Sequence, residues 1–269
     1  MIPNILSIAG TDPTGGAGIQ ADLKTITALG GYGMAVVTAL VAQNTQGVRA
    51  VQEIPAEFVT AQIDAVFDDV RVDAVKIGML ANASIITAVA QAIDRHRPPI
   101  VVLDPVMVAA SGDRLLAPDA VAALRDELLP RADLITPNVP EAADLLEETE
   151  ATDTDDMRRQ AGKLCSYGTN VLLKGGHLST ADSTDVLAVD GVVHIYSASR
   201  VDTENTHGTG CTLSSAAATL RPQSPDWPAT VARAKDYLTG ALRAADRLQV
   251  GHGHGPVHHS YATTTGEPA

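Results

Sequence analysis

The sequence predicts an α/β fold with a mainly parallel central sheet covered by helices on both faces. Short β-branched or aliphatic runs bounded by Gly, Pro, Asn or Asp alternate with longer segments of helical period, the pattern of a layered parallel sheet. Of the 269 residues 45% are apolar but only 3% aromatic, which suits a well-buried aliphatic core. The residues able to do chemistry stand where the apolar runs end, and ligands of such sheets bind at the carboxyl ends of the strands.

The clearest strands are residues 5–9, 35–42, 74–77, 100–103, 134–136 and 171–174. Ile19, Leu23, Ile26 and Leu29 recur at helical spacing, as do Phe58, Ile63, Val66 and Phe67, and both faces are expected in the core. Pro55, Pro118, Pro140 and Pro228 each stand just before or at the start of a helical pattern, where a missing N–H costs nothing and the fixed φ suits the first turn. Residues 185–189 and 192–196 flank Asp190-Gly191, the commonest two-residue hairpin chemistry, so the sheet gains an antiparallel edge. The alternation has no linker and no repeat, which predicts one domain over 1–259 and a polar, fraying tail over 260–269.

A formal charge of −13 argues against a nucleic-acid surface or a polybasic membrane anchor, since both need positive potential. Small-molecule partners are expected. If they carry phosphate, the chain must supply positive potential locally through helix N-termini, a few lysines and bound Mg²⁺. Cys165 and Cys211 lie far apart with no CxxC, which excludes a zinc ribbon and fits a reducing compartment. The first residues form a strand-like run with neither a basic leader nor a long apolar stretch, so a cytoplasmic protein is expected.

Asn-Thr-His-Gly-Thr-Gly-Cys at 205–211 runs straight into a small-residue apolar segment, so a glycine-bracketed turn opens onto a predicted helix. Backbone N–H groups and the positive end of the helix dipole make that a phosphate site with a thiol at its mouth. Read alone, it is equally open to being a tight turn with a small core cysteine. Gly16-Ala17-Gly18-Ile19-Gln20-Ala21 matches the dinucleotide pattern, but the second strand ends in Ala42-Gln43-Asn44 rather than in the acid such a site wants. The glycines are read instead as a loop closing over a small substrate. No G-x-x-x-x-G-K-[ST] occurs, so ATP would not bind through a P-loop. His252, His254, His258 and His259 alternate with Gly and Pro and read as a turn rather than a metal site.

Gly-Thr-Asp-Pro-Thr-Gly-Gly-Ala-Gly-Ile-Gln-Ala-Asp at 10–22, Ala-Leu-Val-Ala-Gln-Asn-Thr at 39–45, Lys-Ile-Gly-Met-Leu at 76–80, Asp-Pro-Val-Met at 104–107, Thr-Pro-Asn-Val-Pro-Glu-Ala at 136–142, Lys-Gly-Gly-His at 174–177 and His-Gly-Thr-Gly-Cys at 207–211 occur together. In order and spacing they resemble the hydroxymethylpyrimidine/phosphomethylpyrimidine kinases of thiamine synthesis, from about residue 4 to His259. The resemblance implies a ribokinase-like three-layer α/β/α fold. It implies phosphorylation by ATP of 4-amino-5-hydroxymethyl-2-methylpyrimidine and then of its monophosphate. It also implies Mg²⁺, admits a monovalent cation, and suggests a homodimer.

Gln43 ends an apolar strand, and its amide offers the donor and acceptor that a 4-aminopyrimidine edge complements. By resemblance Asp22 contacts the substrate, Gly10, Met79 and Val106 line the ring, and Lys235 approaches the hydroxymethyl or monophosphate end. Gly208, Thr209 and Gly210 would cradle the transferred phosphoryl group. Cys211 stands where the superfamily generally places an aspartate base, and a helix N-terminus makes a thiolate base possible. Asp104 and Glu141 would organise Mg²⁺, with Asn138 and Lys174 at the ATP phosphates. Asn138 and Glu141 also fit a helix cap, and Asp22 an exposed helix acid. His177 and His207 receive no role. Two alternatives stand beside this reading: a pyridoxine or pyridoxal kinase, and a noncatalytic pyrimidine-binding protein.

Overall fold

The computed structural model describes residues 1–108, 116, 120–176, 178 and 182–262. Pro118, His177 and residues 263–269 lie outside the described residues. In chain order the elements are β1 (Asn4–Ala9), α1 (Gly18–Ala28), β2 (Tyr32–Val37), β3 (Ala39–Asn44), β4 (Gly47–Glu53), α2 (Ala56–Phe67), β5 (Ala74–Ile77), α3 (Ala83–His96), β6 (Val101–Leu103) and α4 (Ala120–Ala123). They continue with β7 (Leu134–Ile135), α5 (Val139–Leu146), α6 (Thr154–Leu164), β8 (Asn170–Lys174), β9 (Asp182–Val189), β10 (Val192–Ser199), α7 (Thr209–Leu220) and α8 (Trp227–Arg243).

Eight strands form one sheet in the order β10-β9-β8-β7-β6-β5-β1-β2. Pairing is parallel from β2 through β8 and antiparallel for β9 and β10, whose turn uses Asp190 and Gly191 at positive φ. Alternation along the strands divides the core in two. Leu6, Ile8, Val75, Ile77, Val101, Leu103, Val171 and Leu173 pack with the side chains of α2 to α6. Ile5, Ala74, Val102, Leu134 and Leu172 pack on the other face with those of α1, α7 and α8. The result is a three-layer α/β/α fold with an antiparallel edge.

Two expectations fail in detail. The run 35–42 is two strands, broken at Thr38, whose N–H donates to the Ala9 carbonyl and whose hydroxyl donates to that of Met79. The chain therefore leaves the main sheet, and β3 pairs only with β4, an antiparallel hairpin over the carboxyl end of β1. An unbroken apolar run concealed that exit. On α2 Ile63 is buried and Val66 and Phe67 pack against the core as expected, but Phe58 is 59% exposed and Val59 is buried in its place. The Tyr261 ring, within the expected tail, lies 5.8 Å from that of Tyr237. No helix among the described residues is long and apolar enough to cross a membrane.

Candidate active site

Two cavities open at the carboxyl end of the sheet and share part of their walls. One, of about 540 Å³, is lined by Gly10, Gln43, Met79 and Val106 on one side and by Asp104, Glu141 and residues 208–211 on the other. The second, of about 330 Å³, lies between β10, α7 and α8 and is lined by Arg200, Val201, Leu213, Leu238 and Leu242 among others. Asn138, Lys174, Thr206, Thr209 and Gly210 line both. The common wall is thus a helix N-terminus facing a lysine.

Local chemistry dictates that wall. Gly208 caps α7 at φ +80°, and a Cβ there would come within 1.8 Å of the Gly16 carbonyl oxygen, so no other residue fits. Gly210 and Cys211 lie in the first helical turn, where the ladder supplies no acceptor for their amides. Opposite, Lys174 at the end of β8 donates to Asp104 at 2.9 Å and stands 3.9 Å from Glu141. Thr136 donates to the same Asp104 oxygen as Lys174. Burial would raise Asp104, but Lys174 and Lys76 hold its carboxyl below the usual range. Burial instead pushes Glu141 up to about 7, with Lys174 opposing and Asp104 adding to the rise.

Asn138 caps α5 by accepting from the Glu141 N–H, while Glu141 accepts from the Asn138 N–H, so the structural role and the place beside the cavity coexist. Asp104 and Glu141 are hard oxygen donors that repel one another across Lys174. That set fits Mg²⁺, which takes one or two carboxylates and completes its shell with water and phosphate.

Three expectations need correction. Asp22 is fully buried, ion-paired to Lys76 at 2.8 Å and hydrogen-bonded by Ser7 and Ser215, between the sheet and α7. It cannot touch a ligand in the cavity. Lys76, a lone charge on an apolar strand, points to the α7 side like Ala74 because strand residues alternate. Lys235 lies in the second cavity, where it donates to Asp185 and to the Ser183 carbonyl, and so stands on the far side of the shared wall from Gln43. Cys211 lines the first cavity, but burial pushes its thiol up to about 11 despite the pull of Lys76. At neutral pH it stays protonated, and the helix terminus does not make it a thiolate.

Gln43, Gly10, Met79, Val106, Asp104, Asn138, Glu141, Lys174, Gly208, Thr209, Gly210 and Cys211 are all brought together. Sequence reasoning missed Asp12 and His207. Asp12 is fully buried, and His207 Nε2–H donates to it at 2.8 Å. An acid held in a glycine loop and a histidine preceding the phosphate turn were the available signals. Of the four C-terminal histidines, His252 and His254 are exposed, and His259 is buried against Thr212.

The model of the phosphomethylpyrimidine kinase family matches residues 12–258. The hydroxymethylpyrimidine/phosphomethylpyrimidine kinase of Escherichia coli is 56% identical over 96% of this chain and 98% of its own. A thiamine biosynthesis bifunctional protein of Geobacter sulfurreducens is 49% identical over 96% of this chain and 52% of its own. Among solved structures, an ADP complex of Bacillus subtilis pyridoxal kinase superposes with a TM-score of 0.91 at 34% identity, over 98% of this chain and 100% of that one.

Proposed function

Because the chain belongs to the phosphomethylpyrimidine kinase family, we propose that its two cavities carry out ATP-dependent phosphorylation of 4-amino-5-hydroxymethyl-2-methylpyrimidine and then of its monophosphate, within thiamine diphosphate biosynthesis. One observation supports this siting above the rest: an acceptor-sized cavity and a second cavity meet at a wall of helix amides and Lys174. Phosphoryl transfer asks for positioning and charge neutralisation at such a junction, with little covalent help.

In this reading Gln43 pairs with the amine and ring nitrogen of the pyrimidine, and Gly10, Met79 and Val106 enclose the ring. The nucleotide occupies the second cavity, with its base against Leu238 and Leu242 and its phosphates reaching Asn138, Lys174 and Thr209. Amides of residues 208–210 take charge on the transferred group. Asp104 and Glu141 would hold Mg²⁺, which when bound neutralises phosphate charge. Cys211 acts as a neutral thiol against the acceptor, and the loose transition state makes a strong base dispensable.

We read residues 1–259 as one cytoplasmic domain acting on small molecules, with neither nucleic acid nor membrane as partner, and as a homodimer. Leu40 and Ala42, exposed on the outer face of β3, support a self-association surface, and sedimentation velocity tests it. The likeness to a pyridoxal kinase keeps a pyridoxine or pyridoxal kinase as the second reading. The deciding experiment is an Mg²⁺-ATP assay offering hydroxymethylpyrimidine, its monophosphate and pyridoxal separately, with products followed by mass. Diphosphate formed from the monophosphate supports the first reading. Turnover of pyridoxal alone overturns it.

A further inference from the structure

The β1–α1 loop and the phosphate turn at the start of α7 are distant in sequence but share one carboxylate. Asp12 Oδ1 accepts from the N–H and hydroxyl of Thr14 at 2.9 and 2.7 Å. Its Oδ2 accepts from the N–H groups of Gly16 and Ala17 at 3.0 and 2.8 Å, and from His207 Nε2–H at 2.8 Å. Burial would raise Asp12, but the donors led by His207 hold it well below the usual carboxylate range, so it remains an acceptor throughout the neutral range. Nε2 of His207 must then carry a proton.

We propose that Asp12 is a positioning residue that, through His207, fixes the place of the phosphate turn relative to the β1–α1 loop. The inference rests on the reading of residues 208–210 as the cradle of the transferred phosphoryl group.

His207 carries the linkage. Its ring crosses from the residue before Gly208 to Asp12, and a Cβ on Gly16 would strike that ring at 2.4 Å, so the two loops are in direct contact. Its backbone N–H donates to Gly255 and its carbonyl accepts from Val257, which pins the turn from behind. Neither Asp12 nor His207 is assigned to the reacting atoms. They hold the groups that are.

The test compares wild-type enzyme with Asp12→Asn, His207→Ala and His207→Gln in steady-state phosphorylation of hydroxymethylpyrimidine, each variant checked for folding by circular dichroism. For Asp12→Asn, kcat is expected to fall about thirtyfold, with the KM for ATP within about threefold. For His207→Ala, kcat should fall about tenfold with little change in the pyrimidine KM, and His207→Gln, which keeps a donor, should restore it to within about threefold. If the wild-type enzyme does not phosphorylate hydroxymethylpyrimidine, the reading of the site fails and this inference with it. If the wild type is active while Asp12→Asn and His207→Ala keep its kcat, the inference alone is overturned. Should Asp12→Asn not fold, the histidine pair decides, and equal wild-type turnover in both variants overturns it.

Discussion

Single residues at this site are governed by what lies behind them. Asp22 and Lys76 are both fully buried charges, and each is tolerable only because of the other. Asp22→Asn should therefore destabilise the fold by about 3–5 kcal/mol in urea titration, because it strands the Lys76 ammonium. Were Asp22 a substrate contact, stability would hold and only the pyrimidine KM would rise. Cys211 gives the complementary case. Since its thiol sits near 11, neither cysteine nor serine is ionised at neutral pH. Cys211→Ser should keep kcat within about tenfold of wild type, and the wild-type rate should show no ascending limb at about pH 8–9. A thousandfold loss would restore the thiolate base. Residue types and motif order made Gln43, Asp104 and the Gly208–Gly210 turn legible in the sequence. The depth of Asp22 was not legible, because an acid on a helix reads the same whether it faces solvent or a lysine on the next strand.

Elements place these groups through their ends. The β3–β4 hairpin that carries Gln43 is tied to the main sheet where Thr11 N–H donates to Ala39 and Val41 N–H donates to the Thr11 hydroxyl. Its tip is held by the glycine-histidine segment near the C-terminus. His254 N–H donates to the Thr45 carbonyl and Gly253 N–H to the Thr45 hydroxyl. A Cβ at Gly253 would meet that carbonyl at 2.1 Å. Gly253→Ala should push the tip outward, costing about 1–3 kcal/mol and raising the pyrimidine KM several-fold while the ATP KM stays put. Equal KM values would mean that the tip does not set the position of Gln43. In the sequence this segment reads correctly as a turn, yet nothing local to it reveals that it grips a hairpin some 200 residues earlier.

Across the whole molecule, a chain of charge −13 places Lys174 and Lys76 near the start of α7, each already paired with a carboxylate, Asp104 and Asp22. The C-terminal segment closes the structure by burying His259 against Thr212, while its carbonyl accepts from Tyr237. Burial pushes that imidazole down to about 4. An unfolded chain protonates the same ring near about 6.5, so between those values it binds a proton that the folded chain refuses, and stability is lost as pH falls. Between about pH 6.5 and 4.5 the wild type should lose about 1–2 kcal/mol more stability than His259→Gln, measured as urea midpoints. Parallel pH profiles would show that the ring is not held neutral.

The sequence by itself determined the layered α/β architecture, its antiparallel edge and most of the residues around the first cavity. Periodicity, turn chemistry and motif order are local properties, and they survive without knowledge of what packs where. Tertiary structure alone decided that the chain leaves the sheet at Thr38, that Lys235 belongs to the second cavity, that Asp22 is buried against Lys76, and that Cys211 stays protonated. Each of these depends on the burial of a group by elements distant in sequence, and desolvation is set by the assembled layers rather than by neighbours along the chain.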